Sequence, residues 1–315
     1  MVPMLLRVLA DALFMRGSGL LQAGRAQRAL SHLALAARLA SSNANYFGAA
    51  ALAASQAGEL DAAVRYCERA LQLDHELEAV HDLLSGMFLH GEIYSDVLAR
   101  IHQHLRPRSY VEIGVETGAS LRLVLPGTQA LGIDPKPALT YALPANVRIF
   151  TETSDEFFAR RDVRAELGGL PVDLAFIDGM HHFEYALRDF MNLERLCAPQ
   201  STILIDDCFP HDRRTAQRER VITFWSGDIW KLAVLLKKYR PELSIHTIAA
   251  PPTGLCVVRN LDPASRFIAD NLQRLCDEFM ALDYSFLEKD RARKLNLFPN
   301  DWERIRPLLG SARQL

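Results

Sequence analysis

Residues 173–190 read DLAFIDGMHHFEYALRDF: an apolar run stops at Asp178, turns at Gly179 and meets His181 and His182 before an amphipathic run begins. A second apolar run, STILIDD, ends at Asp206 and Asp207. If the two runs are neighbouring strands, three carboxylates share one rim. Uncompensated, they repel and raise one another's pKa. A hard divalent cation resolves that conflict, and oxygen donors with open positions suit Mg²⁺. A histidine beside them, with an ordinary pKa of ~6.5, can take a proton from a hydroxyl. Each residue also has a structural reading. Asp178 can cap a helix starting near Phe183, His181 and His182 can be first-turn surface residues, and Asp207 can be a cap.

Such a rim needs a sheet. From residue 105 onward short apolar runs alternate with helical patterns. The strands expected are SYVEIG, QALGID, VRIFT, VDLAFID, STILID, SIHTI and LCVVR. Helices are expected over 118–125, 155–167, 183–197, 228–239 and 263–283. Alternation of this kind calls for a parallel sheet with right-handed crossovers, the last two strands pairing antiparallel. The fold class expected is α/β, a doubly wound, mostly parallel seven-stranded sheet, preceded by an all-α region. Domains are expected at 1–104 (helical), 105–262 (α/β) and 263–315 (C-terminal helical extension).

Residues 1–104 are rich in Ala and Leu at helical spacing, with no strand pattern. AGRAQRALSHLALAARL (23–39) matches AGELDAAVRYCERALQL (57–73) at an offset of 34 residues. Gly24 aligns with Gly58, Ala29 with Ala63, Ala36 with Ala70 and Leu39 with Leu73. The region resembles tetratricopeptide repeats, whose period is the same and whose small residues lie where two helices approach closely. Gly17 matches the small position of the first helix, and HGEIYSDVL (90–98) looks like the start of a degenerate third unit. Such repeats imply a protein partner or a homodimer contact.

The strand SYVEIG leads into VEIGVETGASL, in which Gly114 and Gly118 allow close backbone approach to a ligand. Glu112 is an acid within the strand. Asp134 ends the next strand about twenty residues later, where an acid can accept both hydroxyls of a ribose. Ser154, after the third strand, either caps the next helix or contacts an adenine. In this order and spacing the pieces resemble class I S-adenosylmethionine-dependent methyltransferases, with Glu116 standing at the second glycine of the strictest motif. The resemblance implies S-adenosyl-L-methionine held by Glu112, Gly114, Gly118, Asp134, Ser154 and Asp178.

IDGMHHFEYALRDF followed by APQSTILIDD is similar to the D-G-x-H-x-aromatic-E signature of the bacterial group that includes macrolide-sugar O-methyltransferases and cephalosporin hydroxylase-like proteins. That resemblance implies Asp178, Asp206 and Asp207 as metal ligands, Mg²⁺ above all, and His181 as general base. The acceptor implied is a hydroxyl on a sugar, polyketide, other small metabolite or glycan. A hydroxylase on the same fold and a non-catalytic nucleotide-binding adaptor are the alternatives. FPHDRRT (209–215) is either a lid over the acceptor or a solvated loop. Asp228 fits a helix N-cap, and Trp225 and Trp230 are expected as core or interface anchors rather than as a substrate platform.

Bulk composition agrees with this. The chain has 49% hydrophobic and 23% charged residues and a net charge of −2. No strong field for nucleic acid or an anionic membrane follows. Five scattered cysteines (Cys67, Cys197, Cys208, Cys256, Cys276) form no C-x-x-C pair and read as reduced thiols. Arg7 and Asp11 interrupt the apolar N-terminus, so no signal peptide or span is expected there, and the expected location is cytoplasmic.

Overall fold

The computed structural model describes residues 4–310. Residues 1–3 and 311–315, which the expected helical regions include, lie outside the described residues. The chain divides into two compact units. One holds the chain up to Phe88 with the short segment Val221–Phe224; the other holds Leu89–Arg220 and the chain from Trp225 onward.

The first unit is five helices: α1 (Met4–Gln22), α2 (Ala26–Leu39), α3 (Ala44–Gln56), α4 (Leu60–Leu73) and α5 (Glu78–Phe88). The 34-residue offset is visible in the backbone. Gly24 ends one helix at φ 70° and Gly58 ends another at φ 80°. Arg25 N–H then bonds back to the Leu20 carbonyl, as Glu59 N–H does to Ala54. Both are six-to-one closures of the kind a left-handed glycine permits after a helix. Ala29, Ala36, Ala63 and Ala70 are fully buried. A Cβ on Gly17 would come within 2.5 Å of the Leu33 side chain, which shows how closely α1 and α2 approach.

The second unit opens with α6 (Tyr94–Leu105) and builds one eight-stranded sheet of order β3-β2-β1-β4-β5-β7-β6-β8. The strands are β1 (Ser109–Ile113), β2 (Gln129–Ile133), β3 (Val147–Phe150), β4 (Val172–Ile177), β5 (Cys197–Ile205), β6 (Ser244–Ile248), β7 (Leu255–Arg259) and β8 (Leu297–Phe298). The first five run parallel, and β7 is antiparallel to both β5 and β6. This is the doubly wound sheet expected from the alternation of patterns. Helices α7 (Ser154–Arg160), α8 (Val163–Glu166), α9 (Phe183–Leu196), α10 (Trp230–Tyr239) and α11 (Phe267–Met280) fill its connections, and α12 (Ser285–Glu288), α13 (Arg291–Lys294) and α14 (Trp302–Leu309) complete the tail. Residues of β1, β4 and the second half of β5 (201–205) are buried on both faces, as parallel strands between helices require.

Two expectations are corrected. No α-helix fills 118–125; only a short 3-10 turn forms at Leu121–Leu123. Gly118 sits at φ 81° before it, and Pro126 with Gly127 follows, so no helical run can extend in either direction. The C-terminal region is not wholly helical, because Leu297–Phe298 adds an eighth strand parallel to β6. Two residues are too few to show a period in the sequence.

Candidate active site at the carboxyl ends of the strands

The sheet register builds the rim. Ile113 pairs with Ile177 and Ile177 with Ile205, so β1, β4 and β5 end level with one another. The ladder runs one residue further. Asp178 N–H bonds to the Ile113 carbonyl (2.8 Å), Asp206 N–H to Ile177 (3.0 Å), Gly114 N–H to Ile133 (2.9 Å) and Asp134 N–H to Phe150 (3.1 Å). Gly114, Asp134, Asp178 and Asp206 therefore stand in a row where ligands bind in doubly wound sheets.

At the β1–β2 end, Asp134 grips the loop after β1. One of its oxygens accepts from Val115 and Glu116 N–H, both at 2.9 Å, and the other from Lys136 N–H at 2.7 Å. Gly114, at φ 88°, is dictated by its neighbour: an added Cβ would lie 1.9 Å from the Asp178 carbonyl oxygen. Gly118 faces Leu139 and Leu143. Glu112 is fully buried, with Tyr110 and Ser120 hydroxyls donating to its two oxygens at 2.6 Å each. Burial lifts its pKa to about 8, against the lowering effect of those two bonds. Ser154 is not the cap of α7. Thr153 caps it, in a reciprocal box with Glu156. Ser154 instead bonds the buried Asp189, whose carboxyl burial pushes to about 7.

At the β4–β5 end, His181 lies between two acids. Its Nδ1 is 3.0 Å from Asp207 Oδ2 and its Nε2 is 3.5 Å from Asp178 Oδ1. Donor atoms of Asp178, His181 and Asp207 all lie within 4.8 Å of one another. Asp206 stands beside this set, 7% exposed, with Oδ1 lacking a partner among the described residues. His181 and Asp207 both adopt left-handed backbone, at φ 52° and 58°. For non-glycine residues that conformation is strained, and such strain concentrates at functional sites.

The charges are tightly linked. Burial alone would lower the His181 pKa, but Asp207 and Asp178 outweigh it and raise it to about 11. Burial raises Asp178 to about 6, opposed by His181 and reinforced by Asp207 and Glu116. Asp206 is driven well above the carboxylate range by burial, then by Asp178 and Asp207. The cluster therefore holds carboxylates crowded together, with an imidazolium as their counter-charge.

The loop after β5 fixes the histidine. Trp225 stacks on the His181 ring, centroids 5.2 Å apart and planes 18° from parallel. Asp228 N–H bonds to the His181 carbonyl at 3.1 Å. A Cβ on Gly227 would fall 2.0 Å from that same carbonyl oxygen. Asp228 does not cap α10. It caps α9 from 45 residues away, accepting the Phe183 N–H at 2.7 Å. His182 turns elsewhere, its Nε2 reaching the Arg218 carbonyl at 3.0 Å. Trp230 is buried, as an anchor, whereas Trp225 forms a wall beside His181. Reading the sequence for motifs did not reveal that wall, because nothing in TFWSGD shows which strand end the loop crosses. Tyr94 is a further near neighbour; its phenol is raised by burial and then by Asp206 and Asp178.

Residues 111–208, from β1 through the end of β5, match the family model described as a methyltransferase domain. A search of curated proteins finds no match. Among solved structures, the chain is similar to the O-methyltransferase TomG from Streptomyces achromogenes, involved in tomaymycin synthesis and solved with SAM. That pair shares 13% identity over 52% of this chain and 78% of the other, with a TM-score of 0.39. It is also similar to cofactor-bound Rv0187 from MTB (15%, 62% and 94%, 0.42) and to an O-methyltransferase from Bacillus cereus solved with SAH (15%, 59% and 90%, 0.37). Among the described residues, no helix is long and apolar enough to cross a membrane.

Proposed function

We propose that the chain is an S-adenosylmethionine-dependent O-methyltransferase, assisted by a divalent cation, Mg²⁺ above all, and acting on a hydroxyl of a sugar, polyketide, other small metabolite or glycan. The observation that carries this reading is the adjacency of two features on one rim of a methyltransferase domain: the Gly114–Asp134 loop and the Asp178–His181–Asp207 cluster. The donor cofactor fits the first. Gly114 and Gly118 keep side chains out of the loop, and Asp134, holding two N–H groups on Oδ2 and one on Oδ1, keeps one acceptor site on Oδ1 for a ribose hydroxyl. Glu112 acts from behind, steadying the loop through Ser120. Ser154 and Asp178 are assigned to the same cofactor site, Asp178 through its place beside Gly114 at the strand ends.

A hard cation fits the second feature. Two carboxylates and an imidazole converge, a third carboxylate has a buried oxygen without a partner, and the group carries the mutual repulsion that a cation relieves. Asp178 and Asp207 would hold it, with Asp206 alongside; the cation supplies charge that orients an acceptor oxygen and lowers its pKa. The remaining work belongs to side chains. His181 carries protons at both Nδ1 and Nε2 while both acids are uncompensated. Once their charge is neutralised, burial is the dominant influence and favours the neutral ring, which can accept the acceptor's proton. Trp225 keeps the ring in plane, and Gly227 with Asp228 fixes its backbone, so the base is aligned before the acceptor arrives.

For the helical unit we propose docking to a protein partner or a second copy, with tetratricopeptide-like repeats within 1–104 preceding an α/β domain at 105–262 and an extension at 263–315. Support comes from the repeated glycine closures and from Met4, Leu5, Val8 and Met15, which α1 leaves exposed.

The test is calorimetric titration of metal-stripped protein with S-adenosylhomocysteine, with and without Mg²⁺, on wild type, Asp134→Ala and Asp207→Asn. Micromolar cofactor binding lost in Asp134→Ala, with a separate Mg²⁺ titration lost in Asp207→Asn, supports the assignment. Absence of cofactor binding in wild type overturns it and leaves an adaptor acting through its helices.

A further inference from the structure

Outside the rim, the second unit carries a cleft of about 450 Å³ lined by residues of α10, α11 and the segment around α12 and α13. Its walls are Val234, Phe279, Leu282 and Phe286. Its size lies within the range of small-molecule sites, roughly 300–1,000 Å³. Four cations border it (Lys237, Lys238, Arg293 and Lys294) against one acid, Glu278. Glu278 is taken by Lys238 at 2.6 Å, and Arg293 pairs with Asp290. Lys237 and Lys294 pair with no carboxylate among the described residues. Lys237 Nζ donates only to the Arg293 and Lys294 carbonyls, at 2.8 and 2.9 Å. Lys294 Nζ donates to the Phe286 carbonyl and lies 4.5 Å from the Phe286 ring centre. Carbonyls orient these ammonium groups without neutralising them, and each ammonium has three donors. Burial and the neighbouring Arg293 push the Lys237 pKa down, as expected of a cation lacking a counter-charge.

We propose that this cleft binds an amphipathic monoanion, an aliphatic carboxylate whose chain lies between Phe279, Leu282 and Phe286 and whose head pairs with Lys237 and Lys294. A nucleotide or sugar phosphate suits the cleft poorly, since its hydroxyls would be left unpaired against Val234 and Leu282. An acyl chain of about ten carbons buries against those walls and leaves only its charged end to be satisfied. The site is independent of the methyl-transfer reading and needs neither cofactor nor cation.

The probe is decanoate, titrated calorimetrically into the full chain, with 1-decanol and decyltrimethylammonium as the neutral and cationic counterparts. Expected is saturable binding of one decanoate per chain, at least about tenfold tighter than 1-decanol and weakened by salt. The double variant Lys237→Met, Lys294→Met removes that preference for the anion. Val234→Trp fills the cleft, leaves every charge in place and abolishes binding; it decides the matter if the lysine variant fails to fold. Wild type binding decanoate no better than 1-decanol, or Val234→Trp binding it like wild type, overturns the proposal.

Discussion

Asp228 offers a test of how the site is held. It is 1% exposed and serves three partners: Phe183 N–H at 2.7 Å, Lys231 Nζ at 3.1 Å and Arg218 at 3.6 Å. Lys231 is itself buried and otherwise donates only to the Met280 carbonyl. Asp228→Ala removes the cap of α9, costing about 1 kcal/mol. It also strands a buried ammonium, and breaking such a pair from one side costs about 3–5 kcal/mol. The combined loss is about 4 kcal/mol, part of it shared because the two effects involve one side chain. Asp228→Asn keeps an acceptor for Phe183 N–H and loses the charge, so it falls between wild type and Asp228→Ala. Adding Lys231→Met to Asp228→Asn removes the stranded cation and recovers most of the loss, since replacing a buried pair by apolar atoms is often near neutral. The assay is urea denaturation followed by fluorescence of buried Trp230, next to Lys231. Refutation comes from Asp228→Ala matching wild type in midpoint, or from the double variant being no more stable than Asp228→Asn. Because the same segment holds the His181 carbonyl, Asp228→Ala is also expected to weaken Mg²⁺ titration.

Gly114→Ala puts a Cβ against the Asp178 carbonyl in a left-handed conformation; conformation alone costs about 1–2 kcal/mol, the clash adds more, and S-adenosylhomocysteine binding measured calorimetrically should be lost with it. His102 is fully buried, neither ring nitrogen has a hydrogen-bond partner among the described residues, and burial lowers its pKa to about 4. The unfolded chain protonates first as pH falls below about 6.5, so this group takes away stability between pH 6.5 and 4, about 3 kcal/mol in all, and nothing above that window. His102→Phe should flatten that part of the stability–pH curve relative to wild type in urea titrations at several pH values. Arg240 and Glu194 form a two-bond ion pair with side chains 3% and 4% exposed, joining the end of α10 to α9; Arg240→Met should cost about 3–5 kcal/mol in the same assay, and an unchanged midpoint would count against a buried pair.

What the sequence determined by itself is whatever rests on neighbours along the chain. An apolar run ended by Gly or Asp is a strand with a rim residue; four of the seven runs end that way, and all seven form strands. The paired glycines at an offset of 34 close their helices alike, because a left-handed glycine after a helix acts within six residues. The row Gly114, Asp134, Asp178 and Asp206 was legible too, since level strand ends follow once the runs are strands of one parallel sheet. Tertiary structure decided the rest. The helix expected over 118–125 was no such case: Gly118 and Pro126, both visible in the sequence, bound too short a span. Asp134 turned one oxygen to the loop after β1, where Val115 and Glu116 N–H meet it. The cap of α9 came from Asp228 rather than from its own first turn, and Trp225 became a wall beside His181. The cationic cleft brings together α10, α11 and α13, separated by up to 60 residues in the chain. A carboxylate or an indole has the same pattern in the sequence whichever partner it meets, and only packing selects among partners that lie far apart along the chain.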